Sequence, residues 1–222
     1  MIAGLELDHV FVSGPGKARD VALLVARGLN PGPGRVHKGQ GTANARFFFD
    51  NAYLELLWLH EETEIRADAV KPMALWERVR WRETGACPFG VAFRLRDGER
   101  AWPPAMWRYA APFLRKGESL PIVTPRGAAR QPLVFFSVGS PGPPAGYEAA
   151  SAVPLEHAGR RRTLRGVHLE VASDVIPGPV RAIEQGGLLS IQTAGQHHMR
   201  LEFEGGGQEL DFRPGLPLSL IW

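Results

Sequence analysis

Glu55 stands in the run Tyr53-Leu54-Glu55-Leu56-Leu57-Trp58-Leu59, which is apolar on both faces of any strand it forms. Leu54, Leu56 and Trp58 take one face; Tyr53, Leu57 and Leu59 share the other with Glu55. A carboxylate buried there costs several kcal/mol unless it is paired, protonated or bound to a metal. Either it forms an ion pair, with Arg46 across a hairpin, or it belongs to a site. His9 interrupts the strand-like run of residues 7–12 in the same way, on the face of Leu7 and Phe11. A hydrogen-bonded core histidine is the alternative reading for it. Imidazole nitrogen and carboxylate oxygen together suit Zn, Fe, Mn, Ni or Co, and an open coordination position would make such a metal catalytic.

His37, Gly39, Gly41, Thr42 and Asn44 form a third signal. Glycines let the backbone approach a ligand closely. His37 can act as a base or a ligand. Thr42 and Asn44 offer donors to a substrate oxygen, and Tyr53, on the face of Glu55, joins them as a substrate contact. The competing reading is a turn in which Thr42 and Asn44 bond their own backbone. A phosphate loop is excluded, because no Gly-Lys-Ser/Thr follows the glycines.

These residues need strands to carry them. Residues 7–12 read as a strand, residues 13–16 as a break, and residues 18–29 as a helix with Val21, Leu24 and Val25 at helical spacing. Strands follow at 35–41, 45–50 and 52–59, the last two joined by a tight hairpin at Asp50-Asn51-Ala52. A helical segment over 69–82 bridges to a second unit: a strand at 88–95, a helix over 104–114 and a buried strand at 132–138. Residues 140–146, Ser-Pro-Gly-Pro-Pro-Ala-Gly, are a linker.

The C-terminal quarter repeats the first plan. Residues 166–171 lie on residues 7–12 with His168 on His9, and Glu209 falls on Glu55. This predicts that 166–212 superposes on 7–56 and that His168 and Glu209 are further metal ligands. Glu209 shares its face with Asp211 and Arg213, so a solvated face is the rival reading. The adjacent His197 and His198 point to opposite sides of one strand and cannot share an ion. Cys87, beside Pro88, reads as inert packing.

The combination of LDHVFV, HKGQGTAN at 37–44 and YLELLWL at 53–59 resembles the glyoxalase-like branch of the vicinal oxygen chelate superfamily. That resemblance implies an α+β fold: βαβββ modules whose curled mixed sheets enclose a cleft, with helices outside. It also implies a divalent metal held by His and Glu of each module, His9 and Glu55 in the first. The second unit departs from this pattern. Val91 or Gly90 stands where His9 would recur, and PLVFFSV has no carboxylate. A full ligand set therefore requires the first unit to pair with the last, which the sequence leaves open.

The chain has 222 residues, enough for a substantial core. Residues 1–138 are expected as a glyoxalase-like domain with units at 5–60 and 86–138, then a connection at 139–163 and a further unit at 164–222 packed on the first. A third unit must pack back on the others or form a homodimer contact. The net charge is only +3, and lysine occurs only at 17, 38, 71 and 116. The one basic run, Arg160-Arg161-Arg162 with Arg165, has no aromatic reading element, which argues against nucleic acid. No apolar run is long enough to cross a membrane. Residues 1–20 lack the pattern of a secretory leader, so a cytoplasmic chain is expected. The function these features predict is metal-assisted isomerase, lyase or dioxygenase chemistry on a small oxygen-bearing substrate. The alternative is a metal-free protein that sequesters a drug or metabolite in the same cleft.

Overall fold

The computed structural model describes residues 4–96, 107–148, 152–158, 162–173, 175–184, 187–205 and 207–222. β1 (Leu5–Ser13) leads through α1 (Lys17–Val25) to β2 (Gly32–His37), β3 (Thr42–Phe48) and β4 (Tyr53–Leu59). Three short helices follow, α2 (Glu62–Ile65), α3 (Leu75–Val79) and α4 (Trp81–Thr84). Then come β5 (Phe89–Leu95), β6 (Trp107–Tyr109), β7 (Leu120–Ile122) and β8 (Leu133–Phe136). The last segment holds β9 (Leu164–Val171), α5 (Gly178–Glu184), β10 (Leu189–Thr193), β11 (His198–Phe203), β12 (Glu209–Asp211) and β13 (Leu218–Ile221).

Eight strands form one sheet in the order β2-β3-β4-β1-β5-β8-β7-β6. Its two halves share one plan. β1 runs parallel to β4 and β5 parallel to β8, and the halves meet where β1 lies antiparallel to β5. The first unit thus pairs with the second. The expected helix over 104–114 is absent where described: residues 107–109 form β6, because Trp107 and Tyr109 alternate with Arg108 and pair with β7. Residues 104–106 lie outside the described residues, as do Trp102, Arg160 and Arg161.

The last segment makes a separate five-stranded sheet, β10-β9-β11-β13-β12. Its elements follow the expected order of strand, helix and strands, but the pairing differs. β9 lies between β10 and β11, whereas β1 joins the last strand of its own unit. The exact duplication is therefore wrong: Glu209 sits on edge strand β12, and Glu55 on β4 beside β1. The two sheets share one core, in which Val10, Val12, Leu54 and Leu56 pack with Val167, Leu169, Met199 and Leu201. The third unit docks on its own chain through this layer. Arg162 pairs with Asp50, and His157 spans from the backbone of Asn30 to that of Phe48.

The opposite face of the large sheet carries a second core, where Phe11, Leu57, Ala92, Leu133 and Phe135 meet Met73, Leu75 and Val79. Arg78 anchors that helical cover. Its guanidinium is fully buried and donates to the carbonyls of Met73, Cys87, Ala128 and Gln131. Burial lowers its pKa to about 10, so it stays charged at neutral pH. Burial likewise pushes the Cys87 thiol up to about 11, consistent with inert packing.

Gly90 of β5 marks the seam between the halves. A methyl group there would meet the Phe11 ring at 2.0 Å. Gly90→Ala is expected to cost about 1–3 kcal/mol by overpacking, read as a lower urea midpoint, and Phe11→Leu should recover part of it.

Candidate functional site

One extra residue in β1 builds this site. The register of β1 on β5 slips between Leu7 and His9, leaving Asp8 unmatched as a β-bulge. Leu7 and Val10, three residues apart, consequently face the same core, while Asp8 and His9 both face the other side. This corrects the expectation that His9 shares the face of Leu7; it shares that of Phe11. Asp8 is the main residue that sequence reasoning missed. Strict alternation would send it to the opposite face from His9, and only the paired register reveals the bulge.

Asp8 Oδ1 lies 2.5 Å from His9 Nδ1. The carboxylate is also held by Ser140, whose hydroxyl donates to Oδ2 at 2.5 Å, and by Arg94 at 3.8 Å. Burial alone would raise the Asp8 pKa. The His9 hydrogen bond and charge, with Ser140 and Arg94, outweigh it, and the net shift is downward. Ser140 comes from the expected linker, which therefore contributes a residue to the site. Tyr53, across from His9 on parallel β4, stacks on the imidazole with centroids 4.6 Å apart and rings within 13°.

With Nδ1 engaged, His9 Nε2 faces Glu55, 3.7 Å from Oε2. Glu55 is 5% exposed, and its Oε1 accepts a hydrogen bond from Asn44 Nδ2 at 2.5 Å. Asn44 Oδ1 in turn accepts from the Arg35 backbone, so the amide is oriented by strand β2. The rival Glu55–Arg46 ion pair does not form, although the two are register partners: Arg46 Nε donates to the Pro33 carbonyl instead. His37 Nε2 lies 3.9 Å from Glu55 Oε1, and its Nδ1 shares a hydrogen bond with Thr42 Oγ1. Thr42, fully buried, also accepts from Gln40 Nε2, and Tyr109 donates to Gln40 Oε1. Thr42 thus backs His37, whereas Asn44 and Tyr53 line the pocket.

The pocket has a volume of about 150 Å³. Polar groups of β1, β2, β3 and β4 line one side; Leu133 and Phe135 of β8, Met73, Leu75 and Phe113 line the other. Gly90 and Ala92 also face this side, so among the described residues the second unit lines the pocket without a histidine or carboxylate. His168 and Glu209 are not brought here. Val167 and Leu169 enter the intersheet core, so His168 points outward, bonding Ser190 and Glu202 on an exposed face, and Glu209 is exposed. The large sheet and the core lie between those residues and His9. Among the described residues no group of three or more His, Cys, Asp or Glu side chains is placed to hold a metal ion. The four-ligand set implied by the resemblance is not assembled.

A glyoxalase-like domain profile matches residues 7–173. The chain belongs to the glyoxalase-like domain family. This places it in the vicinal oxygen chelate superfamily, in agreement with the two mixed sheets and with the resemblance seen in the sequence. A crystal structure of a hypothetical protein from Staphylococcus aureus is similar in fold, with a TM-score of 0.50 at 8% identity, covering 97% of this chain and 98% of that one. No curated protein matches the chain in sequence. No helix among the described residues is long and apolar enough to cross a membrane.

Burial lowers the His37 pKa more strongly than Glu55 raises it, with Arg35, His9 and Arg46 adding to the decrease. Its folded-state pKa lies below the unfolded value of about 6.5, so native His37 binds fewer protons than unfolded His37 as the pH falls below that value. The wild type should therefore lose stability relative to His37→Gln between about pH 7 and 5. Paired urea titrations across that range measure the difference.

Proposed function

We propose that this chain is an enzyme that moves a proton on a small oxygen-bearing molecule, with His9 as the general base. The observation that carries the reading is the Asp8–His9 pair, with Nδ1 tied to a buried carboxylate and Nε2 directed into the pocket at Glu55. An aspartate behind a histidine selects the ring tautomer and stabilises the imidazolium that forms on proton uptake. Asp8 is suited to this, since its surroundings keep it ionised. Stacking on Tyr53 keeps the ring plane fixed.

In this reading, His9 Nε2 removes a proton from substrate carbon or oxygen. The proton then returns to the substrate from the His9 imidazolium, while Glu55, oriented by Asn44, accepts a hydrogen bond from a substrate hydroxyl. His37, kept neutral by burial, offers Nε2 as a further hydrogen-bonding group. Leu133, Phe135 and the helical cover give the pocket an apolar wall. No step is drawn through a metal, because the donors do not fit the four-ligand arrangement: the second unit supplies Gly90, Ala92, Leu133 and Phe135 where ligands would stand.

Two measurements test the proposal. In D2O, phenylpyruvate and hydroxyacetone should exchange their α-protons faster with protein than in buffer, followed by NMR. His9→Asn should lower the protein-dependent rate by about 10²-fold or more, and Asp8→Asn by less. Binding of these compounds without any exchange beyond that of His9→Asn would overturn catalysis and favour the metal-free sequestering protein. Elemental analysis of untagged protein is expected to find zinc, iron, manganese, nickel and cobalt each well below one ion per chain. A stoichiometric metal that is lost in Glu55→Gln would reinstate the metal-dependent reading.

A further inference from the structure

We infer that the pocket selects organic anions of single-ring size, binding a carboxylate through Arg35 and Arg46 at its mouth. The inference rests on the proposal that this pocket is the functional site. Both arginines line it, Arg35 exposed and Arg46 half-buried. The Arg35 guanidinium lies 4.9 Å from the Phe113 ring centroid, and that of Arg46 lies 5.0 Å from Phe48 and 5.8 Å from Tyr53. Packing against rings restrains both cations without neutralising them.

Neither has an acidic partner among the described residues, whereas Arg94, Arg162 and Arg213 each form an ion pair. Arg46 uses only Nε, on the Pro33 carbonyl, so its two terminal amino groups remain available. The Arg35 side chain makes no hydrogen bond within the described structure. The nearby carboxylates are committed elsewhere: Asp8 to His9, Ser140 and Arg94, and Glu55 to Asn44. The mouth thus carries two arginines outside any ion pair among the described residues, suited to hydrogen-bonding a carboxylate.

Size sets the rest of the ligand. A cavity of about 150 Å³ matches an apolar cavity known to accept benzene. Phe11, Leu57, Leu133 and Phe135 supply an apolar surface for such a ring. An acid lying this way places its carboxylate at the arginines and its body toward His9.

Isothermal titration with benzoate, phenylacetate, benzamide and phenylacetamide at low salt tests the inference. Each acid should bind about tenfold tighter than its amide, a preference of the size a charge-assisted contact supplies. Arg35→Gln should weaken acid binding about threefold or more and leave the amides unchanged; Arg35→Gln with Arg46→Gln should level the pair. Since Arg46 also packs on two rings, Arg35→Gln alone serves if the double variant does not fold. Equal binding of acid and amide, or a preference that survives Arg35→Gln undiminished, overturns the anion selectivity alone. If neither acid nor amide binds, the pocket reading falls and this inference falls with it.

Discussion

Strand β1 crosses the middle of a sheet that is buried on both faces, and it carries one residue more than its partner β5 can match. Without the bulge at Asp8, alternation would point that carboxylate into the intersheet core, among Val10, Val167 and Leu169, at a cost of several kcal/mol. With it, Asp8 turns to the pocket side and meets His9, Ser140 and Arg94. The rest of the pocket follows from satisfying buried polar groups. Glu55 needs Asn44; Asn44 is oriented by the Arg35 backbone; His37 leans on Thr42, Thr42 on Gln40, and Gln40 on Tyr109. These bonds connect four strands, β2, β3, β4 and β6, so the network that holds the side chains also holds the sheet in register.

The third unit serves this arrangement from behind. By covering one face of the eight-stranded sheet, it makes β1 and β4 interior strands with apolar residues at every position turned toward it. Polar residues on those strands are thereby confined to the pocket face. The unit's own polar row, His168, Glu170, Arg200 and Glu202, faces outward, away from the site.

Asymmetry between the paired halves shapes the chemistry. Two units of one plan meet across β1 and β5, yet among the described residues only the first presents ionisable groups to the cleft. The second contributes an apolar wall: Phe135 packs edge-on to His9 at 5.5 Å, and Gly90 leaves room for Phe11. A polar cluster on one side therefore faces an apolar wall on the other, the arrangement on which the proposed proton transfer rests. The low dielectric of such a wall also strengthens each polar contact on the other side.

Much of this was legible in local sequence. Polar interruptions of apolar strands marked His9 and Glu55, because burying either without a partner is costly wherever the strand lies. The motif around His37, Thr42 and Asn44 was visible from its glycines and polar donors, and runs of apolar, β-branched and aromatic residues placed β1, β3, β4, β5, β8 and β9. Pairing was not local. Whether β1 joins the second unit or the third depends on hydrogen bonds between residues some eighty or more positions apart, and local sequence left that choice open. His168 and Glu209 matched by spacing, but the intersheet core claimed the apolar side of β9 and turned His168 outward. The helix expected over 104–114 failed where residues 107–109 found a strand partner in β7, since tertiary pairing overrides propensity. Asp8 and Ser140 joined the site only through the bulge and the fold of the linker. The sequence alone determined which side chains could not be buried unpartnered; the tertiary structure decided their partners, because register between distant strands exists only once the sheet has formed.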